Sequence, residues 1–377
     1  MKPFKIEPAI LEFEKFAEYA KASSLGASDL ILTNEYIYHP IVSDLDLGCQ
    51  TIFQEKYGMG EPSDVMVDAI LEDLSKTSFD RIIAIGGGTI IDIAKILAVA
   101  GSGDTVDDLY DRMTEGLEKV HPLTIIPTTC GTGSEVTNIA VVNRTKKGVK
   151  QGLVSPSMFA DEAVLVPEML LSLPYKVFAT SSIDAMIHAV ESFLSPNGCA
   201  TSEAFSKNAL ELILSSWGKT AKGAEEQDVQ AWKKYAAEFL RASNWAGIAF
   251  GYAGCAAVHA LSYPLGGTHH IPHGQSNQLM FAAVMEKYKE KKPIGKINDL
   301  EALLGRILGV KDEYALETLV SLMDTILERA PLREHGMTED EITVFAKNVI
   351  ETQQRLLNNN YVELSEEEIA DIYRNAF

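Results

Sequence analysis

The chain has 377 residues, 46% hydrophobic and 23% charged, which is enough for two or three domains with ample cores. Its formal net charge of −20 argues against nucleic acid or an anionic membrane as partner. Four cysteines without regular spacing point to a reducing compartment rather than a disulfide framework. In chain order, residues 1–16 (MKPFKIEPAILEFEKF) have no uninterrupted apolar stretch, because Glu7, Glu12 and Glu14 break it, so no signal peptide is expected. The longest apolar run, residues 82–100, carries Asp92, Lys95 and three glycines and is not a membrane span. The chain reads as cytoplasmic.

Residues 29–33 (DLILT) read as a strand and residues 66–76 as an amphipathic helix. Residues 81–86 (RIIAIG) give a second strand, 89–100 a helix, and 123–127 (LTIIP) a third strand. Near-continuous Ile and Leu runs between helices predict a doubly wound parallel sheet covered on both faces. After Pro167 helical periodicity takes over, at residues 175–194, 202–217, 229–250, 300–308, 316–327 and 339–357. The expected organisation is an α/β domain over residues 1–167 and an all-α domain over residues 168–377.

In an open parallel sheet, ligands bind beyond the carboxyl ends of the strands, and two loops stand at such ends. Gly86, Gly87, Gly88 and Thr89 follow the second strand, where bare backbone and a helix N-terminus suit a pyrophosphate. Thr89 reads as the N-cap and Asp92 as the far end of a T-x-x-D box, so a capping role is expected for Asp92. The other loop, residues 128–135 (TTCGTGSE), is rich in hydroxyls and fits phosphate or ribose; a plain strand-to-helix turn would look the same.

The histidines concentrate in residues 258–274 (VHALSYPLGGTHHIPHG), which hold four of the chain's eight. His259 lies in a helical pattern expected to end near Pro264 and the Gly266-Gly267 pair, with His269, His270 and His273 beyond the break. In residues 181–191 (SSIDAMIHAVE), Asp184 and His188 are four apart and share one helix face. One carboxylate and one imidazole from this helix, with two imidazoles from the other stretch, make a sulfur-free site suited to Fe(II) or Zn(II). A surface pair four residues apart would share the spacing, but the surrounding Ala185, Met186, Ile187, Ala189 and Val190 are apolar. Cys255, one helical turn before His259, fits either a ligand or a small buried thiol.

The segments GGGTIIDIAK (86–95), PTTCGTGSEVT (127–137), SSIDAMIHAVES (181–192) and the stretch ending in PHG (272–274) resemble the iron-dependent (group III) alcohol dehydrogenases, in family order over most of the chain. The resemblance implies a dehydroquinate synthase-like fold, a dinucleotide-binding domain followed by a helical one with the active site between them. It implies a metal held by Asp184, His188, His259 and His273, with Fe(II) expected and Zn(II) acceptable. NAD is the implied cofactor, contacted by Gly86, Gly87, Gly88, Thr89, Asp92, Thr128, Thr129 and Thr132, with Lys150 near its ribose. The implied activity is hydride transfer between NAD(H) and a short-chain alcohol, and the implied assembly is a homo-oligomer, a dimer or larger. The flanking segments ILTNEYIY (31–38), FQEKYGMGEPSD (53–64) and QQRLLNNNY (353–361) point to a member that uses a hydroxy acid as its small-molecule substrate. Butanol or diol oxidation and a dehydroquinate-synthase-like lyase are the rival activities; the latter is disfavoured because residues 181–191 and 256–274 contain no Lys or Arg.

Three positions depart from the family pattern. Asn34 stands where an Asp commonly binds the adenosine ribose, which opens the question of NAD against NADP; the neighbouring Glu35 is a substitute acid. Tyr263 replaces a histidine four residues after His259, and a phenol is the poorer proton exchanger at neutral pH. Thr89 replaces a serine and keeps the hydroxyl. For a substrate carboxylate, His270 and His269 are the nearest candidates by sequence, with structural roles equally open to both.

Overall fold

In a computed structural model of the protein, residues 3–225 and 230–377 are described. They form two compact units, Lys5–Leu173 and Pro174–Phe377, the latter joined by Pro3 and Phe4. Pro167 opens a 3-10 turn, Pro167–Leu170, that still belongs to the first unit.

The first unit carries eight strands: β1 (Ala9–Glu12), β2 (Asp29–Thr33), β3 (Gln50–Phe53), β4 (Arg81–Gly86), β5 (Leu123–Pro127), β6 (Ile139–Arg144), β7 (Val149–Val154) and β8 (Glu162–Leu165). Six of them build one parallel sheet in the order β1-β8-β5-β4-β2-β3, while β6 and β7 form a separate antiparallel hairpin. Its helices are α1 (Phe16–Ala22), α2 (Glu35–Ile41), α3 (Asp64–Leu74), α4 (Gly88–Leu97) and α5 (Val106–Arg112). Every residue of β2 and β5 is buried, which is why their Leu and Ile runs do not alternate with polar residues. One apolar core gathers Leu30, Leu32, Ile82, Ala84 and Ile125 from the sheet, Val67 and Ile70 from α3, and Ile90, Ile93, Ala94 and Leu97 from α4. The register pairs Gly86 with Pro127, so the chain leaves β4 and β5 side by side and the two following loops start as neighbours. The edge strands β1 and β3, and β8 beside β1, are each four residues long, too short to produce a periodic signal.

The second unit is helical among the described residues: α6 (Tyr175–Leu194), α7 (Ala200–Glu225), α8 (Ala236–Ala253), α9 (Ala257–His269), α10 (His273–Lys291), α11 (Lys296–Leu308), α12 (Ala315–Ile326), α13 (Glu339–Thr352), α14 (Gln354–Leu357) and α15 (Glu366–Ala376). The helix expected at residues 229–250 starts outside the described residues; those that follow form a 3-10 turn at Ala231–Tyr235 and then α8. Helix α6 is buried on all sides from Ser182 to Leu194, the pattern of a helix at the centre of a bundle. Its neighbours lock it with Phe178 stacked on Trp232 at 4.2 Å and with Trp217 Nε1 donating to Ser182 Oγ at 3.1 Å.

Two expectations are corrected. Helix α9 does not stop at Pro264 but continues through the glycine pair to His269, and His270 closes it in the left-handed conformation at φ 54°. Proline costs this helix one hydrogen bond, yet buried Leu261 and Leu265 anchor the turns on either side of it. The single helix expected over residues 339–357 is two, α13 and α14, separated at Gln353. Among the described residues, no single helix is long and apolar enough to cross a membrane.

Candidate metal centre and nucleotide loops

Helix α6 presents Asp184, His188 and Glu191 along one buried stripe, at spacings of four and three residues. Helix α9 adds His259, and the first residue of α10 adds His273. Asp184 Oδ1 lies 3.4 Å from His259 Nε2, 3.6 Å from His273 Nε2 and 3.9 Å from His188 Nε2. Ligand atoms held ~2.1 Å from a tetrahedral centre are roughly 3.4 Å apart, so these separations suit a shared cation. The chemistry of the donors agrees with Fe(II) or Zn(II), with one hard oxygen and three imidazole nitrogens. His259 Nε2 is buried and makes no hydrogen bond, and a bound cation would satisfy it. His273 is the half-open member, with 41% of its side chain exposed, whereas the other three are within 6% of full burial.

The electrostatics of the cluster follow from burial and from mutual contact. Burial alone would raise the Asp184 carboxyl, but His188, His273 and His259 outweigh it and hold it well below the usual carboxylate range. Burial pushes His188 down to about 4, so its ring is neutral and able to ligate. At His259 burial works downward too, yet Glu191 and Asp184 outweigh it and raise the imidazole to about 9. The His188 ring stacks between Phe250 at 4.2 Å and His259 at 4.5 Å, which fixes its plane.

Two residues complete the centre without having been singled out in the sequence. Glu191 is 1% exposed and binds three donors: the Ala256 and Val258 amides at 2.8 and 2.7 Å, and His259 Nδ1 at 2.6 Å. One carboxylate therefore satisfies two amides at the start of α9 and also sets the His259 tautomer, leaving Nε2 for a metal. Asn277 on α10 donates from Nδ2 to Asp184 Oδ1 at 2.8 Å and so aims that carboxylate. Both could have been found from spacing, since Glu191 repeats the Asp184–His188 stripe and Asn277 stands one turn after His273.

His269 and His270 stand outside the ligand set, and Tyr263 stands beside it. His269 Nε2 is 3.2 Å from Glu341 Oε2 and its ring sits edge-on to Phe345, so it fastens α9 to α13 instead of joining the cluster. His270 is the exposed residue that ends α9. Tyr263 sits with its ring 6.0 Å from that of His273, and burial raises its hydroxyl to about 12. Cys255 and His188 share a second potential ligand triad with His259, but burial raises the Cys255 thiol well above its ordinary value, which favours the neutral form.

In the other unit, the glycine loop and the threonine loop face each other. A Cβ on Gly87 would touch Thr129 Cγ2 at 3.3 Å, and one on Gly88 would touch Thr132 Cγ2 at 3.4 Å. Thr129 Oγ1 is buried without a hydrogen-bond partner, a donor that fits a phosphate oxygen of a dinucleotide. Thr128 N bonds back to Gly86 O at 3.1 Å, and Thr132 Oγ1 accepts from Ser134 N at 3.3 Å. The capping expectation for Asp92 fails. Helix α4 starts at Gly88 with Gly87 as its N-cap, so Thr89 lies inside the first turn and its hydroxyl bonds Gly60 O at 3.3 Å. Asp92 instead accepts from Val141 N at 3.0 Å and Ser134 Oγ at 3.1 Å, and burial raises its carboxyl. Beside it Lys95 is fully buried, donating to Ser134 Oγ, Thr137 Oγ1 and Ile139 O at 2.8 to 3.0 Å; burial lowers it to about 8. Asp92 and Lys95 together staple the threonine loop to α4. Lys150 lies on β7 with its ammonium 2.7 Å from Glu61.

At the end of β2, Asn34 Nδ2 donates to Gln54 Oε1 at 3.1 Å and Glu55 Oε2 at 2.9 Å. Glu55 Oε1 also accepts from Glu35 N at 2.6 Å, so the carboxylate at this strand end comes from Glu55. The Glu35 side chain is directed elsewhere, 3.7 Å from Lys56. No local spacing marks Glu55, because it reaches Asn34 across two neighbouring strands.

Residues 12–167 match the family model of iron-containing alcohol dehydrogenase, and residues 178–377 match that of the C-terminal region of the Fe-containing alcohol dehydrogenase family. The chain is 45% identical to 4-hydroxybutyrate dehydrogenase of Clostridium kluyveri over 377 residues, covering 100% of both. It is 34% identical to long-chain-alcohol dehydrogenase 1 of Geobacillus thermodenitrificans, over 86% of this chain and 83% of that one. Its fold superposes with a TM-score of 0.85 on sulfoacetaldehyde reductase from Bifidobacterium kashiwanohense, solved with NAD+, at 22% identity over 100% of this chain and 98% of that one. With both units matched in order and a carboxylate set among three imidazoles on the helical one, the chain belongs to the iron-containing alcohol dehydrogenase family.

Proposed function

We propose that this oxidoreductase moves a hydride between NAD(H) and 4-hydroxybutyrate, whose primary alcohol is oxidised to succinate semialdehyde. The observation that carries the reading is Asp184 Oδ1 facing three imidazole nitrogens at 3.4 to 3.9 Å, in a chain 45% identical over its whole length to a 4-hydroxybutyrate dehydrogenase. Asp184, His188, His259 and His273 would hold the metal, with Fe(II) the resident ion and Zn(II) an acceptable one for the same donors. When bound, the metal supplies Lewis-acid chemistry at the substrate oxygen, and NAD supplies the hydride acceptor. The protein's part is orientation. Glu191 and Asn277 hold the ligand set, and half-open His273 marks the side from which substrate reaches it. Tyr263, raised to about 12, keeps its proton at neutral pH and acts as a hydrogen-bond donor, so the hydroxyl proton leaves by another route. The Gly86–Thr89 and Thr128–Thr132 loops would bind the cofactor phosphates.

The test is an NADH absorbance assay on the purified protein with succinate semialdehyde, butyraldehyde and 3-hydroxypropionaldehyde, with iron and zinc measured on the same sample. A preference for succinate semialdehyde with about one metal per chain is expected; equal turnover of the three aldehydes would remove the hydroxy-acid reading and leave a general alcohol dehydrogenase.

NAD is proposed over NADP because Glu55 places a carboxylate at the end of β2, where a 2′-phosphate would meet like charge. Glu55→Gln is expected to narrow the NAD-to-NADP ratio of kcat/KM by about tenfold. Glu35→Gln should change the ratio little, since that side chain turns to Lys56. If Glu35→Gln has the larger effect, the assignment to Glu55 is wrong.

A further inference from the structure

The metal centre is acidic around its ligands, with Asp184 and Glu191 both buried, and the ligand-bearing stretches contain no Lys or Arg. A substrate with its own carboxylate needs a cation near the open side of such a site. Several cations of the helical unit are already paired. Lys287, Lys289, Lys291, Lys296, Arg329 and Arg374 each stand 2.5 to 3.0 Å from a carboxylate oxygen.

Arg355 is different. It lies on the short helix α14, which packs against α9, the helix that carries His259. The attachment is tight: Asn359 Nδ2 donates both to Arg355 O and to Cys255 O, each at 3.0 Å. One residue on, Asn360 Oδ1 accepts from Ala257 N at 3.1 Å. A single amide thus binds the backbone of Arg355 to the segment immediately ahead of α9. The Arg355 side chain is exposed, and among the described residues its guanidinium has no hydrogen bond or ion pair. Its charge nevertheless reaches two groups that bracket His259, the Cys255 thiol one turn before it and the Tyr263 hydroxyl one turn after it, working against the burial that raises both. Tyr263 in turn lies beside His273, the half-open ligand.

We infer that Arg355 is the cation that receives the carboxylate of the substrate, holding a short ω-hydroxy acid by its charged end while its alcohol faces the metal ligands. The inference rests on the hydroxy-acid reading above and adds the residue that makes it specific. Guanidinium suits the task because its planar fork pairs with both carboxylate oxygens at once. The carboxylate candidates from sequence are less suited: His269 is engaged by Glu341, and His270, the residue that ends α9, offers no planar fork to a carboxylate.

The experiment compares kcat/KM for succinate semialdehyde and for butyraldehyde, its uncharged four-carbon counterpart, in the metal-loaded wild type and in Arg355→Gln, Arg355→Lys and His270→Ala. A charge-assisted pair predicts that Arg355→Gln lowers the ratio of the two values by ~10- to 100-fold, chiefly through KM for the semialdehyde. Arg355→Lys should recover part of the loss, because it restores charge without the fork. Circular dichroism and metal content of each variant identify a merely structural effect, which would lower both substrates together and leave the ratio unchanged. A ratio within threefold of wild type in Arg355→Gln, or a larger change in His270→Ala, overturns the assignment. A wild type that turns over both aldehydes equally would instead overturn the hydroxy-acid reading and this inference with it, so the two failures are told apart by the wild-type ratio alone.

Discussion

His259→Ala is expected to retain under a tenth of the wild-type metal and no measurable NAD-linked turnover, while the far-ultraviolet spectrum stays helical. His259 is the hinge of the cluster: its Nε2 is 3.4 Å from Asp184 and its Nδ1 is 2.6 Å from Glu191. Truncation removes one donor from the metal and leaves the Glu191 carboxylate buried with only its two amide partners. Thermal stability should therefore fall as well, by about 1 to 3 kcal/mol, the range for leaving a buried polar group without its partner. Glu191→Gln separates support from ligation. The amide retains one acceptor but turns an NH2 group toward donors, so the His259 ring loses its anchor while all four ligand side chains stay in place. Metal affinity is expected to fall by about 10- to 100-fold, read by competition with a chelator, with turnover recovering at high metal concentration. His259→Ala should not recover. If His259→Ala binds iron with wild-type affinity, the four side chains do not form the metal centre.

Much of this centre was legible in the sequence, for a simple reason. Asp184 and His188 share a helix face by spacing alone, and helix α6 coincides with the residues whose apolar pattern marks it, Tyr175–Leu194. Likewise β2, β4 and β5 are buried strands with unbroken Leu and Ile runs, and the loops that follow β4 and β5 announce themselves by glycine and threonine. What was not legible depends on contacts distant in sequence. Glu191 has the right spacing, but its function is set by amides 65 and 67 residues away. Asp92 matched a capping pattern, and only the N-cap of α4 at Gly87, two residues before Thr89, shows that its carboxylate turns inward to β6. Glu55 and Arg355 lie in segments that carry the resemblance, but nothing in those segments gives either a role; each acquires meaning from a neighbouring strand or helix. Pro264 and two glycines signalled a helix end, and the buried leucines on both sides overrode that local preference.

Gly274→Ala should be nearly as damaging as loss of a ligand, although the residue has no side chain to offer a metal or a substrate. A methyl group at this position would sit 1.9 Å from Thr180 O and 2.7 Å from Thr180 C. Both are backbone atoms of α6, so no side chain can swing aside, and α10 must back away by about 1 Å or more to reach an ordinary contact. Gly274 follows His273 directly, and α10 packs along α6 near Asp184. The displacement therefore falls on the His273–Asp184 separation of 3.6 Å and on the 2.8 Å bond from Asn277 to Asp184. A misplacement of that size costs roughly 100-fold in turnover, and overpacking costs about 1 to 3 kcal/mol in stability. Gly267→Ala is the matched control, since it lies in the last turn of α9 and a methyl group there meets nothing within 4 Å. Replacing a helical glycine in open space should leave stability unchanged or raise it by about 0.5 to 1 kcal/mol. Metal content, melting temperature and turnover measured on the pair decide the matter: wild-type metal and activity in Gly274→Ala would mean that α10 tolerates a retreat from α6, and that the position of His273 is set elsewhere.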